Sequence, residues 1–352
     1  MKYTTLGSSD LTISKIGLGS MTWGEQNTAS DAAEQMAMSF DMGVNFFDVA
    51  EMYPVPPKPE TFGQSERIMG DWLRKTEQRD KVTLATKVTG ASSGNRGVNY
   101  IRGGASLCKP QIHEACNASL KRLQTEVIDL YQVHWPERAT NFFGKLGYNQ
   151  TLHNTTAEGA VTIAETLEAL TELVQQGKIR YIGISNETPW GMLEYLKQHW
   201  QKGFERIVSI QNPYNLLNRT FEVGCAEISL RENIGLLAYS PLAFGKLTGK
   251  YLNQQKPDGA RLTLFERFTR YEKIHCDEAT AAYASLALDN NISPTQLALA
   301  FVNQQSFLDG NIIGATTLAQ LKENISSIDI TLNPETLNEI ENIHQRYSNP
   351  AP

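Results

Sequence analysis

Cysteine is scarce in this chain of 352 residues, and what there is lies scattered: Cys108, Cys116, Cys225 and Cys276, with no CxxC and no metal-ligand spacing. That excludes a disulfide scaffold or a zinc ribbon and reads as reduced thiols in a cytoplasmic protein. Paired histidines are missing as well. The six, at 113, 134, 153, 199, 275 and 344, form no HxH, so a metal-dependent barrel hydrolase is rejected and no metal is expected. There is no excess of positive charge. A formal net charge of −6 argues against a nucleic-acid surface. No apolar run approaches the length of a membrane span, and no signal-peptide core opens the chain, so no membrane partner is expected. The third glycine of a GxGxxG fingerprint is also absent: after Gly17 and Gly19, Thr22 stands where it belongs.

What is present is a steady alternation. Apolar, strand-like runs occur at 15–21, 44–50, 81–88, 127–135, 179–185, 206–212, 235–241 and 311–316. Helical patterns separate them. One over 30–43 opens on Ser30 as N-cap and closes on Gly43. Others cover 110–124, 164–178, 277–291 and 293–304. Eight such βα units predict a (β/α)8 barrel, one domain over 1–352, rather than a doubly wound sheet. Two pieces stand outside the repeat: an N-terminal hairpin, "YTTLGSSDLTISKI", and a C-terminal helix over 333–347. They are expected to close the bottom of the barrel and to pack its side.

In such barrels the chemistry sits at the C-terminal ends of the strands. The second strand, "VNFFDVA", ends in Asp48, with Tyr53 in the following loop; the third brings Lys87 and the fourth His134. The fifth, sixth and seventh bring Ser185-Asn186, Gln211-Asn212 and Tyr239-Ser240. Taken singly, each is explained as a turn residue, a solvated lysine, a core histidine or a packing tyrosine. Together they converge on one rim. A carboxylate there pairs with the lysine, and the ammonium is expected to lower the phenol's pKa from about 10. Tyr53 then serves as general acid for a carbonyl, given a hydride donor. Lys87 also allows a Schiff-base aldolase, for which no sugar-phosphate fingerprint appears.

The segments "GLGSMTWG", "NFFDVAEMY", "GQSE", "TKV", "DLYQVHW", "GKIRYIGISN", "IQNPYN", "AYSPL" and "LKEN" occur in one order along nearly the whole chain. In that order the sequence resembles the aldo-keto reductase superfamily. One branch of it shares "EMYPVPP", "KRLQT", "FGKLGY" and "NPYNLLNRTFEVG" nearly word for word. The resemblance implies a catalytic set of Asp48, Tyr53, Lys87 and His134, a small-molecule carbonyl substrate, and NADP(H). It implies cofactor contacts from Gly19, Met21, Thr22 and Asp48. Ser185, Asn186 and Gln211 would hold the nicotinamide carboxamide, and Tyr239 would stack on the ring. Ser240, Pro241, Leu242, Gly245, Lys246 and Leu247 would line the pyrophosphate. Gly314, Thr316, Gln320, Glu323 and Asn324 would meet the adenosine end. Lys250 and Arg261 add charge for a 2′-phosphate, and "GATT" leads into a helix whose N-terminus suits a phosphate. Some relatives, the potassium-channel β subunits, are NADP-binding regulators, so a non-catalytic module is the competing class.

Two loops depart from the family. "PVPPKPETF" (54–62) carries four prolines and is read as a stiff wall of the substrate pocket. The long segment 136–159 is read as a lid or binding loop. Trp23, Tyr53, His134 and Trp135, with Phe142 and Phe143, are the expected substrate-pocket residues. The sequence leaves oligomeric state open.

Overall fold

The computed structural model describes residues 1–92, 97–153 and 160–352. Ten strands are found among them. β1 (Tyr3–Thr5) and β2 (Thr12–Ser14) form an antiparallel hairpin. β3 (Ile16–Gly19), β4 (Phe46–Asp48), β5 (Thr83–Val88), β6 (Ile128–Val133), β7 (Ile179–Ser185), β8 (Ile207–Pro213), β9 (Gly235–Tyr239) and β10 (Leu308–Ile313) close in chain order into a parallel barrel. Every residue of β4, β5 and β6 is buried, as expected of strands covered on both faces. The eight runs read from the sequence are these eight strands. β10 begins three residues before the expected 311, because Leu308 and Gly310 already pair with β9.

Period-two alternation builds the barrel interior in layers. The lower layer is apolar: Phe46, Ala85, Leu130, Val208, Leu237 and Ile312 cluster with Leu6, Leu11 and Ile13 of the hairpin region. The hairpin therefore plugs the bottom. Its turn depends on Gly7, at φ +47°, whose amide donates to Asp309 Oδ2 at 2.7 Å. Two residues further along β4, β5 and β6, the same inward positions carry Asp48, Lys87 and Gln132, and on β8, past a register shift in its pairing with β7, Gln211 joins them three residues after Val208. Gly183 on β7 makes room for this layer, since a Cβ there would lie 2.7 Å from Ser209 Oγ and 2.9 Å from Gln132 Cγ.

The first crossover helix, Ala29–Asp41, is capped by Thr28 rather than by Ser30. Thr28 Oγ1 accepts from the Asp31 amide and the Asp31 carboxylate accepts from the Thr28 amide, a reciprocal box that Ser30 cannot form from inside the helix. The C-terminal helix, Pro334–Arg346, packs on the side of the barrel. Thr336 Oγ1 donates to Asn290 Oδ1, Glu341 pairs with Arg219, and the tail amide of Ala351 donates to Leu217 O. Among the described residues no helix is long and apolar enough to cross a membrane.

Candidate active site

The upper polar layer is centred on Asp48. Its Oδ2 lies 2.5 Å from Lys87 Nζ, and its Oδ1 accepts from Gln211 Nε2 at 2.9 Å and Gln132 Nε2 at 3.1 Å. Lys87 is fully buried and donates a second hydrogen bond to Val49 O at 2.8 Å. The pair is set by register: β4 pairs with β5 so that Asp48 faces Ala85, which leaves Lys87 one inward step higher, beside Gln132 of β6.

Chain geometry after β4 then fixes Tyr53. The Val49 amide donates to Ala85 O, the Glu51 amide to Lys87 O and the Tyr53 amide to Ala50 O, so the chain turns back over β5. Glu51, fully buried, anchors that turn by accepting from the Thr89 amide and pairing with Arg102, both at 2.6 Å. The Tyr53 ring lies 5.1 Å from Lys87 Nζ, measured to its centroid, and packs edge-on against His134 at 5.6 Å. Trp135 follows His134 at 5.0 Å, and Phe143 meets Trp135 at 5.9 Å.

The protonation states follow from burial. Burial pushes the Tyr53 phenol well above its ordinary value, reinforced by Asp48 and Tyr239, while Arg261 pulls it down. This runs against the expectation that the ammonium would lower it, because burial outweighs the neighbouring positive charge. Burial likewise holds Lys87 below its ordinary value, with Asp48 opposing. His134 is held well below 6.5, first by burial and then by the Lys87 charge, so its imidazole is neutral at pH 7. Its Nδ1 is buried without a hydrogen-bond partner among the described residues.

Above this floor opens a cavity of about 720 Å³. Asp48, Tyr53, His134 and Trp135 line it, and Lys87 sits beneath Asp48. Gly19, Met21, Thr22, Ser185, Asn186, Gln211, Tyr239, Ser240, Pro241, Leu242, Gly245, Lys250, Arg261, Gly314, Thr316, Gln320, Glu323 and Asn324 line it too. Asn186 is the hub at the β7 end: its Nδ2 donates to His134 O and its Oδ1 accepts from Tyr239 OH at 2.6 Å. Ser240, Ala243, Phe244 and Gly245 all have φ between +50° and +87°, a turn of the kind whose amides form anion-binding concavities. The helix Leu318–Ser326 starts at Thr317, beside the cavity-lining Thr316.

Besides Lys87, four expected residues do not line the cavity: Trp23, Phe142, Lys246 and Leu247. Trp23 is fully buried in the core, its Nε1 donating to Gln35 Oε1 at 2.8 Å. Lys246 turns away from the cavity to pair with Asp277, and Leu247 is a core residue. Both follow the left-handed turn at 243–245. Val55 and Pro57 of the proline-rich loop do line the cavity, as does Phe143; Phe142 does not. Residues 154–159 of the second loop lie outside the described residues.

The sequence reading missed Gln132, which alternation points to, two residues before His134 on the same strand face. Also missed were Phe244, Arg267, Phe268, Arg270 and Lys273, which reach the cavity from the segment after β9 that supplies the expected residues 240–261. Nothing in local pattern marks those residues. The Gln26 side chain donates to Gly259 O at 2.7 Å and joins that segment to the loop after β3. Among the described residues no cluster of histidine, cysteine or carboxylates could hold a metal ion.

Comparison with known proteins follows the same lines. The model of the aldo/keto reductase family matches residues 15–345. Protein tas of Escherichia coli (strain K12) is 52% identical over 352 residues, all of both chains. The uncharacterized oxidoreductase YrpG of Bacillus subtilis (strain 168) is 32% identical, over 97% of this chain and 96% of the relative. An NADH-specific methylglyoxal reductase of Escherichia coli (strain K12) is 29% identical, over 94% of this chain and 95% of the relative.

Proposed function

Because the chain belongs to the aldo/keto reductase family, we propose that it reduces aldehydes or ketones to alcohols with NADPH, using Tyr53 as general acid. The observation that carries this reading is the edge-on packing of the half-buried Tyr53 phenol on the buried His134 imidazole over a buried Lys87–Asp48 pair, at the floor of the cavity.

The cavity suits a dinucleotide phosphate. Lys250 and Arg261 line it and have no carboxylate partner among the described residues. Burial holds Arg261 down, to about 10, as expected of a cation placed without its anion. These two residues would take the 2′-phosphate, the 240–245 turn the pyrophosphate, and Thr316 with the helix start at Thr317 the adenosine side. Gln211 spends its amide N–H groups on Asp48 and Gln132. That leaves Oε1 to accept from a carboxamide. A bound nicotinamide cofactor supplies the hydride.

The residues of the chain do the rest. Neutral His134 orients the carbonyl oxygen by an N–H hydrogen bond. Tyr53 keeps its proton until charge builds on that oxygen, then gives it up as the carbonyl carbon gains its hydride. The phenolate so formed lies beside Lys87, whose charge stabilises it, and is reprotonated from solvent. In sum, carbonyl, NADPH and one proton give alcohol and NADP⁺. Since one relative is named for NADH, the cofactor must be compared directly. Purified protein is offered NADPH or NADH with a broad carbonyl panel, and loss of reduced cofactor is followed. Turnover with NADPH preferred is expected. Tight NADPH binding with no turnover on any carbonyl would instead favour a non-catalytic nucleotide sensor.

A further inference from the structure

Three basic residues at the cavity have no part in the reading above: Arg267, Arg270 and Lys273. None forms an ion pair among the described residues. The two acidic residues of the cavity are otherwise engaged, Asp48 with Lys87 and Glu323 with the Ser293 hydroxyl. On a chain of net charge −6, an unmatched basic group at one place is not the background.

Arg270 stands at a neck. It lines both the main cavity and an adjoining hollow of about 300 Å³, and Phe143, Gly144 and Asn186 are also common to the two. Its Nη1 donates to Tyr239 OH at 3.3 Å, and its guanidinium lies 5.8 Å from the Phe143 ring centroid. Phe143 packs on Trp135 and Trp135 on His134, so Arg270 lies at the substrate end. Lys273 Nζ donates to Gly144 O at 2.6 Å and ties the same two loops together. Among the described residues the one acidic side chain lining the hollow, Glu187, is already paired with Arg138. A guanidinium carries five N–H donors in a planar fork that matches carboxylate or phosphate oxygens. The Tyr239 and Tyr271 hydroxyls engage only part of it.

We propose that Arg270, supported by Lys273, selects carbonyl substrates that carry an anionic group, a carboxylate or a phosphate, which it holds at this neck while the carbonyl reaches Tyr53 and His134. The proposal rests on the carbonyl-reductase reading and names the substrate class for it.

The test compares kcat/KM with NADPH for 4-carboxybenzaldehyde, 4-formylphenyl phosphate and 4-methylbenzaldehyde, in the wild type and in Arg270→Gln. The ratio between proteins cancels the aldehydes' intrinsic reactivities. The wild type is expected to prefer an anionic aldehyde, and the preference to shrink with added salt. Arg270→Gln is expected to lose about 10- to 100-fold of it, mainly through KM, as for a lost hydrogen bond to a charged group. Which anionic aldehyde loses more tells carboxylate from phosphate. Lys273→Gln, on an exposed side chain, is expected to lose less and serves if Arg270→Gln does not fold. A wild type that reduces 4-methylbenzaldehyde as well as the anionic aldehydes, or variants that keep the preference, would overturn the assignment and leave carbonyl reduction standing. Failure of the wild type on these aldehydes and on the whole carbonyl panel alike would sink both.

Discussion

Asp48→Asn and Lys87→Met should each damage the protein more than their small volume changes suggest, and together less than their sum. Lys87 is wholly inaccessible and the Asp48 side chain is 3% exposed, so solvent and salt screen the pair little. Asp48→Asn keeps the shape but leaves a buried ammonium with Val49 O as its remaining partner. Lys87→Met leaves a buried carboxylate held by the two glutamine amides. Losing one partner of a buried ion pair costs about 3–5 kcal/mol. In the double variant neither charge is stranded, and the cost should be no more than about that of one single change, a coupling of at least 3 kcal/mol. Urea denaturation followed by circular dichroism measures all four corners of the cycle, at low and at high salt. NADPH oxidation should be lost in all three variants. Single costs that add to within about 0.5 kcal/mol, or a coupling that vanishes in salt, would refute a buried, unscreened pair.

Three further perturbations reach other parts of the molecule. Gly7→Ala places a Cβ 2.0 Å from Val208 O at φ +47°, so a loss of about 1–3 kcal/mol is expected in urea melts, with the barrel plug loosened. Because His134 is held neutral in the fold and takes a proton below about 6.5 when unfolded, stability should fall as pH drops below that value, by up to about 1.4 kcal/mol per pH unit. His134→Gln should make thermal melting between pH 6.5 and 5 less steep, though not flat, since His344 is held down in the same sense; an unchanged slope would contradict neutral burial. Arg261→Gln should narrow the ratio of kcat/KM for NADPH over NADH by about tenfold or more, as for a lost charge-assisted contact, and an unchanged ratio would remove Arg261 from phosphate binding.

The fold was legible because strand periodicity and helix caps are local properties. All eight barrel runs could be read in order, and their C-terminal ends pointed to Asp48, Lys87 and His134. Resemblance supplied the roles. What escaped was set by long-range packing. Trp23 reads as a pocket aromatic, but the chain folds it inward to meet Gln35. Lys246 reads as a phosphate ligand, yet it follows a left-handed turn and pairs with Asp277. Arg270 belongs to a segment without strand or helix periodicity, and only its packing on Phe143 and Tyr239 brings it to the cavity. The prolines after Tyr53 were legible as a stiff wall, and Val55 and Pro57 do face the cavity.

Tyr53→Phe bears most directly on the role given to Tyr53. The change removes one hydroxyl and leaves the ring that packs on His134. With NADPH and the best carbonyl found, kcat should fall by about 10²- to 10⁴-fold, as for loss of a general acid, while NADPH affinity stays within about twofold. A variant that turns over within a fewfold of the wild type would contradict Tyr53 as the proton donor.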